Sequence, residues 1–425
     1  MKVLVIGGGG REHAVCKKLS ESKDVTEILC APGNAGIAQV ARCIPEVKAT
    51  DIEGIVALAQ REKVDFVCVT PDDPLALGCV DRLEAEGIAA FGPTAYAAQM
   101  EASKIFSKNL MRKYGIPTAK SETFTEMDKA LAYLDTQGAP IVVKADGLAL
   151  GKGVVVAATV EEAKQAVVEM MQGGKFGQSG ARVLIEECMV GREVTVLCFC
   201  DGKTIVPMKA SQDHKRALDG DKGPNTGGMG AFAPSPLYTE EIAERTEREI
   251  LLPTLHAMNA EGFTFKGVLY VGLMLTAEGP KVVEYNARFG DPETQVIMPR
   301  LESDALEAFY MVATGKLDAL DLRWTDQVAV CVVLASDGYP GSYEKGKVIL
   351  GIEEAEELDG VTVFHAGTAF NQDDELVTNG GRVLNVVALA DTFEDARELA
   401  YEACDKINFE GKQYRHDIAL RALEA

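Results

Sequence analysis

The chain is predicted to be an α/β protein that begins with a doubly wound parallel sheet and continues into further mixed α/β parts. Two observations lead there. Short apolar runs, Val3 to Ile6, Val64 to Val69 and Ile88 to Phe91, alternate with helical patterns, as the strands and crossover helices of a parallel sheet do. After Trp324 and Thr325 the pattern changes to longer apolar runs such as Val328 to Leu334, which reads as a separate small mixed domain. A length of 425 residues leaves room for roughly three domains at ~150 residues each.

With 47% hydrophobic residues, each part can bury a core of its own. No run approaches the ~18 to 20 apolar residues of a membrane span, and Met1 to Gly7 lacks the layout of a cleavable signal. The expectation is therefore a soluble, cytoplasmic protein with no membrane partner. Ten cysteines show no C-x-x-C pair and sit mostly inside apolar runs, as reduced buried thiols do. A net charge of −22 argues against nucleic acid, which needs basic patches. An anionic small substrate would instead need a local cluster of cations.

The first element, Val3 to Ile6, is a buried strand running into Gly7-Gly8-Gly9-Gly10-Arg11-Glu12-His13-Ala14, a glycine turn and helix start. Such a turn offers backbone N–H groups to an anion. The G-x-G-x-x-G spacing fails, since the last position falls on Glu12 or His13, and Thr26 to Cys30 runs into Ala31-Pro32-Gly33-Asn34 with no acidic residue for a ribose. A phosphate ester is expected there rather than a nicotinamide dinucleotide. This first part is expected to end near Ala102.

Ser103 to Phe106 then opens a helix. Ile141 to Gly147 is a strand with Lys144 near its end, running into a glycine-rich loop, Gly147 to Gly153, that could set an ammonium and bare amides around phosphates. It is not a Walker motif: Gly147 and Gly151 are one residue too close and no hydroxyl follows Lys152, while the near match Gly341 to Lys347 ends in Val348. Gly173 to Gly180 reads as a mobile loop over a nucleotide. Arg182 to Met189 and Gly191 to Val196 form a strand, bend and strand that suit an adenine edge, with Glu193 placed for ribose hydroxyls; a plain charged hairpin is the alternative. Lys209 to Arg216 and Asp221 to Gly230 gather cations and glycines in one long polar segment. Finally Lys281 to Gln295 ends an apolar run in Glu284, Asn286 and Arg288, alternate positions that share one face if the run is a strand. Two oxygen ligands and one guanidinium there suit magnesium carrying phosphates, with a positive charge for the transition state.

In combination, Gly7 to His13, Lys144 to Gly153, Asp213 to Arg216, Gly223 to Gly230 and Glu284 to Gln295 resemble the phosphoribosylamine-glycine ligase family of the ATP-grasp superfamily, over essentially the whole chain. The resemblance implies an ATP-grasp fold in three parts. These are an N-terminal domain over 1–102, a two-lobed nucleotide-binding region over 103–326 with a lid at about 120–190, and a C-terminal cap over 327–425. It implies ligation of glycine to 5-phosphoribosylamine with ATP and Mg2+, Mn2+ being an alternative metal, in a monomer or weak homodimer. It places Lys104 and Lys144 beside the phosphates, Glu186, Glu187, Cys188 and Met189 at the adenine, Glu193 on the ribose, and Arg216 and Asn225 as further nucleotide contacts. Glu284 and Asn286 become metal ligands; Arg288, Lys144 and Asp213 the catalytic set. Substrates are expected at Gly8, Gly9, Gly10, Arg11, His13, Asp213, His214, Lys215, Asp291 and Pro292. Two departures stand out: Val271 to Met274 carries no second metal carboxylate, and Thr70-Pro71-Asp72 replaces the usual Gly-Pro-Glu.

Arg382 and the Arg415-His416-Asp417 group are expected to be structural or surface residues, isolated charges being usually solvated. Competing readings are another ATP-grasp carboxylate-amine or carboxylate-thiol ligase and a catalytically silent ATP sensor; the intact Glu284, Asn286 and Arg288 set disfavours the sensor.

Overall fold

The computed structural model describes residues 1–148, 153–172 and 180–424. Most of the expected glycine-rich phosphate loop (149–152) and of the covering loop (173–179) lies outside them.

The N-terminal sheet has the order β3-β2-β1-β4-β5, with β1 Lys2–Gly7, β2 Glu27–Pro32, β3 Arg42–Cys43, β4 Phe66–Val69 and β5 Ala89–Phe91. All its pairings are parallel, and β1 is buried from Val3 to Gly7, which is why it reads as a continuous apolar run. Adding a side chain to Gly10 would put Cβ 2.3 Å from the Asn385 amide nitrogen, so only glycine lets the first helix, Gly10–Ser20, approach the C-terminal part so closely.

A second sheet, order β6-β9-β7-β8, contains β6 Ser121–Phe124, β7 Ile141–Ala145, β8 Val154–Ala157 and β9 Val183–Glu187. Strand alternation splits its faces. Ile141, Val143, Ala145, Val183 and Ile185 point to a small core of their own under the helices Met127–Gln137 and Val160–Gln172. Lys144 and Glu186 lie on the opposite face, so this is called the lysine sheet below.

The third, or carboxylate, sheet runs β11-β10-β16-β17, from β10 Arg192–Cys200, β11 Ile205–Pro207, β16 Gly267–Thr276 and β17 Gly279–Asn286. One face, with Val194, Val196, Leu269, Val271, Leu273, Val282 and Tyr285, packs into the largest core. The register pairs Thr195 with Gly272, Gly272 with Glu284, and Tyr270 with Asn286, setting these residues on the other face. An irregularity between Gly272 and Leu273 slips β17 by one residue at Val283. That slip lets Val282 and Tyr285 share the core although their numbers differ in parity.

Between these sheets the chain forms β12 Gln212–Asp213, the hairpin β13 Arg216–Leu218 with β14 Lys222–Asn225, and β15 Gly230–Ala233. The last, six-stranded sheet is mixed in origin. Its path is β12-β15-β18-β22-β19, with β18 Val328–Ser336, β19 Val361–His365 and β22 Arg382–Ala390; β20 Thr368–Phe370 and β21 Leu376–Thr378 pair apart, and β23 Lys412–Gln413 joins β18. The C-terminal sheet thus recruits two strands from residues 212–233. Sequence pattern missed this because β12 is only two residues long.

Candidate active site

Lys144 is 4% exposed on β7, and its Nζ lies 2.7 Å from Glu186 Oε2 and donates to the Val283 carbonyl of β17 at 3.2 Å. The lysine and carboxylate sheets meet there. Glu186 also takes Lys108 Nζ at 2.8 Å, and Lys108 donates to Thr118 Oγ1 at 2.7 Å. Burial alone would raise the Glu186 pKa, but the two ammoniums outweigh it and hold the carboxyl below its ordinary value. Burial lowers Lys108 against the pull of Glu186. Two cations facing one anion leave a positive charge uncancelled.

Lys104 adds to it. Ser103 caps its helix, Lys104–Tyr114, by accepting from Phe106 N–H, and Gly115 ends it in the left-handed region at φ 67°. The Lys104 ammonium donates to the Gly147 carbonyl at 2.8 Å. Its pKa is lowered by burial and by Lys144, with Glu284 opposing.

Across from these lysines, Glu284 and Asn286 are half-buried at the end of β17. The Glu284 carboxylate has no ion pair or hydrogen bond among the described residues, and its stem lies over its cross-strand neighbour Gly272, where a Cβ would already touch Glu284 Cγ at 3.4 Å. Asn286 has Glu101 Oε1 and Tyr285 O each 3.2 Å from one end of its amide; two acceptors there assign that end as the nitrogen, which leaves the carbonyl oxygen for another partner. A partnerless carboxylate and an amide oxygen facing cations fit a hard divalent ion bound together with phosphates. No cluster of three or more His, Cys, Asp or Glu able to hold a metal by itself occurs among the described residues. Any metal here would therefore need ligands from the substrate.

Arg288 corrects one expectation. β17 stops at Asn286, so Arg288 lies on a bend, not on the strand face of the other two. Its Nη2 pairs with Glu101 Oε1 at 2.8 Å, its Nη1 donates to Phe289 O at 3.2 Å, and its guanidinium lies 6.0 Å from the centre of the Tyr270 ring. Burial works against the charge, but Glu101 and Asp72 more than offset it and raise the pKa. Tyr270 receives Thr195 Oγ1–H at 3.0 Å and donates to Glu293 Oε1 at 3.0 Å.

Further along the carboxylate sheet, Lys215 Nζ donates to Glu193 Oε2 at 2.9 Å, a partly exposed pair that contributes little stability by itself. Lys215 is the main cause of the lowered Glu193 pKa. Asp213, one turn of β alternation away, is half-buried; burial, reinforced by Glu293 and Glu193 and opposed by Lys215, lifts it to about 7.

His214 turns the other way. It is 1% exposed, its Nε2 accepts from Ala419 N–H at 3.2 Å, and burial lowers it to about 3. His13 is likewise inside, its Nδ1 accepting from His365 N–H at 2.8 Å. Both were expected at substrate; His13 lies on the buried side of the helix Gly10–Ser20 and His214 follows the end of β12, and both side chains turn into the contact with the C-terminal part instead.

The glycine turn is also less bare than expected. Gly9 N–H donates to Glu12 Oε2 at 2.8 Å, Asn34 Nδ2 donates to Gly8 O at 2.9 Å, and Arg11 N–H reaches Asp291 Oδ2 at 3.4 Å. Arg11 Nη1 donates to Phe289 O at 3.1 Å, the carbonyl that Arg288 also uses. Arg382, set aside as surface or structural, donates from Nη1 to Gly227 O (2.9 Å) and Asp291 O (2.9 Å), while Pro292 is buried against Gly228. Arg415 is structural, 1% exposed and paired with Asp221 and Asp417. Arg216, next to Lys215 in the chain, pairs across the hairpin with Asn225. Glu187 ends β9 exposed, and Cys188 and Met189, half-buried, begin the turn into β10.

Sequence reasoning passed over Lys108, Glu101, Tyr270 and Glu293. Glu101 lies three residues before Lys104, the one nearby signal that could have flagged it.

The four sheets, and a cleft with lysines on one wall and an unpaired carboxylate on the other, define an ATP-grasp protein. A biotin carboxylase-ATP complex from Campylobacter jejuni shares the fold at a TM-score of 0.73 and 15% identity, covering 100% of this chain and 95% of that one. Family models for the phosphoribosylglycinamide synthetase N domain, ATP-grasp (A) domain and C domain match residues 1–101, 102–294 and 329–421, and the chain belongs to that family. The phosphoribosylamine-glycine ligase of Ralstonia nicotianae is 51% identical over 424 residues, 100% of both chains. The crystal structure of phosphoribosylamine-glycine ligase from Thermotoga maritima has a TM-score of 0.84 at 34% identity and covers 98% of this chain and 100% of its own.

Proposed function

We propose that the protein joins glycine to 5-phosphoribosylamine at the expense of ATP, giving glycinamide ribonucleotide, ADP and phosphate. The observation that carries this is the cleft itself, Lys104 and Lys144 opposite Glu284 and Asn286, in a chain that matches a ligase of this name over its full length. Among the described residues no helix is long and apolar enough to cross a membrane.

A glycine carboxylate resists attack by an amine because its oxyanion is a poor leaving group. Transfer of the γ-phosphoryl group to that oxygen gives glycyl phosphate; the amine of phosphoribosylamine then attacks the carbonyl carbon, and phosphate leaves. The protein's part is positioning and charge stabilisation. Lys104 and Lys144 neutralise phosphate charge, and Arg288 meets the phosphoryl group in transit. Asp213 takes the glycine ammonium, and Glu193 the nucleotide ribose. Glu186, Glu187, Cys188 and Met189 border the adenine, with Arg216 and Asn225 as outer contacts. Gly8 to Arg11, Asp291 and Pro292 line the end that takes the ribose phosphate. Glu284 and Asn286 would hold Mg2+, or Mn2+ in its place, which supplies charge neutralisation on the transferring phosphates. In this reading residues 1–102 bind the ribonucleotide, 103–326 bind ATP with 120–190 as a lid, and 327–425 close the site from behind.

The test is ADP release by the purified protein, with glycine, MgATP and freshly formed phosphoribosylamine supplied together or singly omitted. Release that requires all three, with glycinamide ribonucleotide as product, supports the ligase. Release independent of glycine, or a different acceptor amine, contradicts it.

A further inference from the structure

β17 ends at Asn286, and the next three residues must leave the sheet without ladder partners. The carboxylate of Glu101 meets them. This residue lies in the short helix Gln99–Ala102, just ahead of Ser103, and is 9% exposed. Its Oε2 accepts from Ala287 N–H at 2.9 Å. Its Oε1 lies 2.8 Å from Arg288 Nη2 and 3.2 Å from the end of the Asn286 amide that two facing acceptors assign as its nitrogen. One buried group thus fixes three consecutive residues, an expected metal ligand and an expected phosphoryl contact among them. Such a carboxylate is costly to bury unless it is fully paired, and here every partner it has belongs to this one turn of chain, apart from longer-range charge.

We propose that Glu101 is the positioning residue of the metal site: it takes the Asn286 amide nitrogen so that the carbonyl oxygen faces the cleft, and it holds Arg288 beside that oxygen. The proposal rests on reading Glu284 and Asn286 as metal ligands. In Glu101→Gln the side chain keeps its size and can still accept from Ala287, but its NH2 opposes the Asn286 amide nitrogen and the guanidinium. Partners that orient a ligand in this way typically change metal affinity by ~10- to 100-fold when lost.

The experiment is a Mn2+ titration of the full-length protein with a non-hydrolysable ATP analogue, followed by electron paramagnetic resonance, with metal-free analogue affinity measured alongside. For Glu101→Gln the expected result is a ~10- to 100-fold weaker Mn2+ site with a smaller change in metal-free analogue affinity, since Arg288 also loses its counter-charge. Glu101→Asp, which keeps the charge but withdraws it by one methylene, is expected to lose less, and serves if the glutamine variant does not fold. Unchanged Mn2+ affinity in a folded variant overturns the proposal while leaving the metal site standing. Absence of nucleotide-linked Mn2+ binding in the unaltered protein overturns both, so the two failures are distinguishable.

Discussion

The two walls of the cleft solve opposite electrostatic problems. On the lysine sheet, Lys108 and Lys144 converge on Glu186, so three charges are buried with a surplus of one positive. On the carboxylate sheet, Arg288 is neutralised by Glu101, while Glu284 is left without a described partner. The first wall is settled before any ligand arrives, and the second carries an unmet need. The lysine wall is largely balanced within the protein and keeps a general attraction for phosphates, whereas the carboxylate wall, in the proposed reading, takes up a cation.

The largest expected effect breaks the settled wall. Glu186→Gln leaves two buried ammoniums without a counter-charge, and removing one partner of such a group costs about 3–5 kcal/mol. Urea unfolding should show that loss, with the residues of the lysine sheet exchanging amide hydrogens first. A stability within about 0.5 kcal/mol of the unaltered protein would mean that water, not Glu186, balances the lysines.

Glu284→Gln tests the waiting wall. Losing one preorganised charge contact typically lowers turnover by ~10²- to 10³-fold, and here the folded stability should change little, the charge interaction lost within the protein being the longer-range one with Lys104. Normal turnover at saturating Mg2+ would remove Glu284 from the metal site. Arg288→Ala should lose a similar factor in rate but also lose stability, since it strips Glu101 of its counter-charge.

A smaller effect separates the cleft from the buried seam behind it by pH. Asp213 is lifted to about 7, so its ionised form, the one that meets an ammonium, grows in as pH rises through that value. The kcat/KM for glycine should climb up to tenfold per unit below about pH 7 and then level, and Asp213→Asn should raise the glycine KM and flatten that limb. His13 and His214 are lowered to about 3 and His365 to about 4, in each case chiefly by burial. A folded pKa below the unfolded one gives stability that is present above about pH 6.5 and lost as pH falls toward those values. Each histidine should contribute ~1.4 kcal/mol per pH unit within that window. Asp213 has the opposite sign, since ionising a raised acid costs stability as pH approaches about 7. Equilibrium denaturation between pH 4 and pH 7 should therefore show a net rise in stability, steeper in Asp213→Asn.

Much of this was legible in the chain. Alternation put Glu284 and Asn286 on one face because both lie in a strand, where a period of two determines the face, while Lys144 stood out near a strand end ahead of a glycine-rich loop. Buried reduced cysteines were also readable: all ten are free, with only Cys43 and Cys188 half-buried. Illegible parts share a different cause. Glu101 meets Ala287 across 186 residues, and no local pattern encodes that distance. Arg288 was placed by extending the strand two residues past its end. His13 and His214 were drawn to the site by their neighbours in sequence, although neighbours along a helix or at a strand end point in different directions. Arg382 looked isolated because its acceptors, the carbonyls of Gly227 and Asp291, are backbone atoms that sequence does not display.

The most direct test of the account is a crystal structure with a non-hydrolysable ATP analogue, Mn2+ and glycine, recorded at a wavelength where manganese scatters anomalously. An anomalous peak touching Glu284 and Asn286, with phosphates between it and Lys104 and Lys144, is the expected result. Phosphates seated away from both lysines, or manganese bound elsewhere with Glu284 still partnerless, would contradict the account.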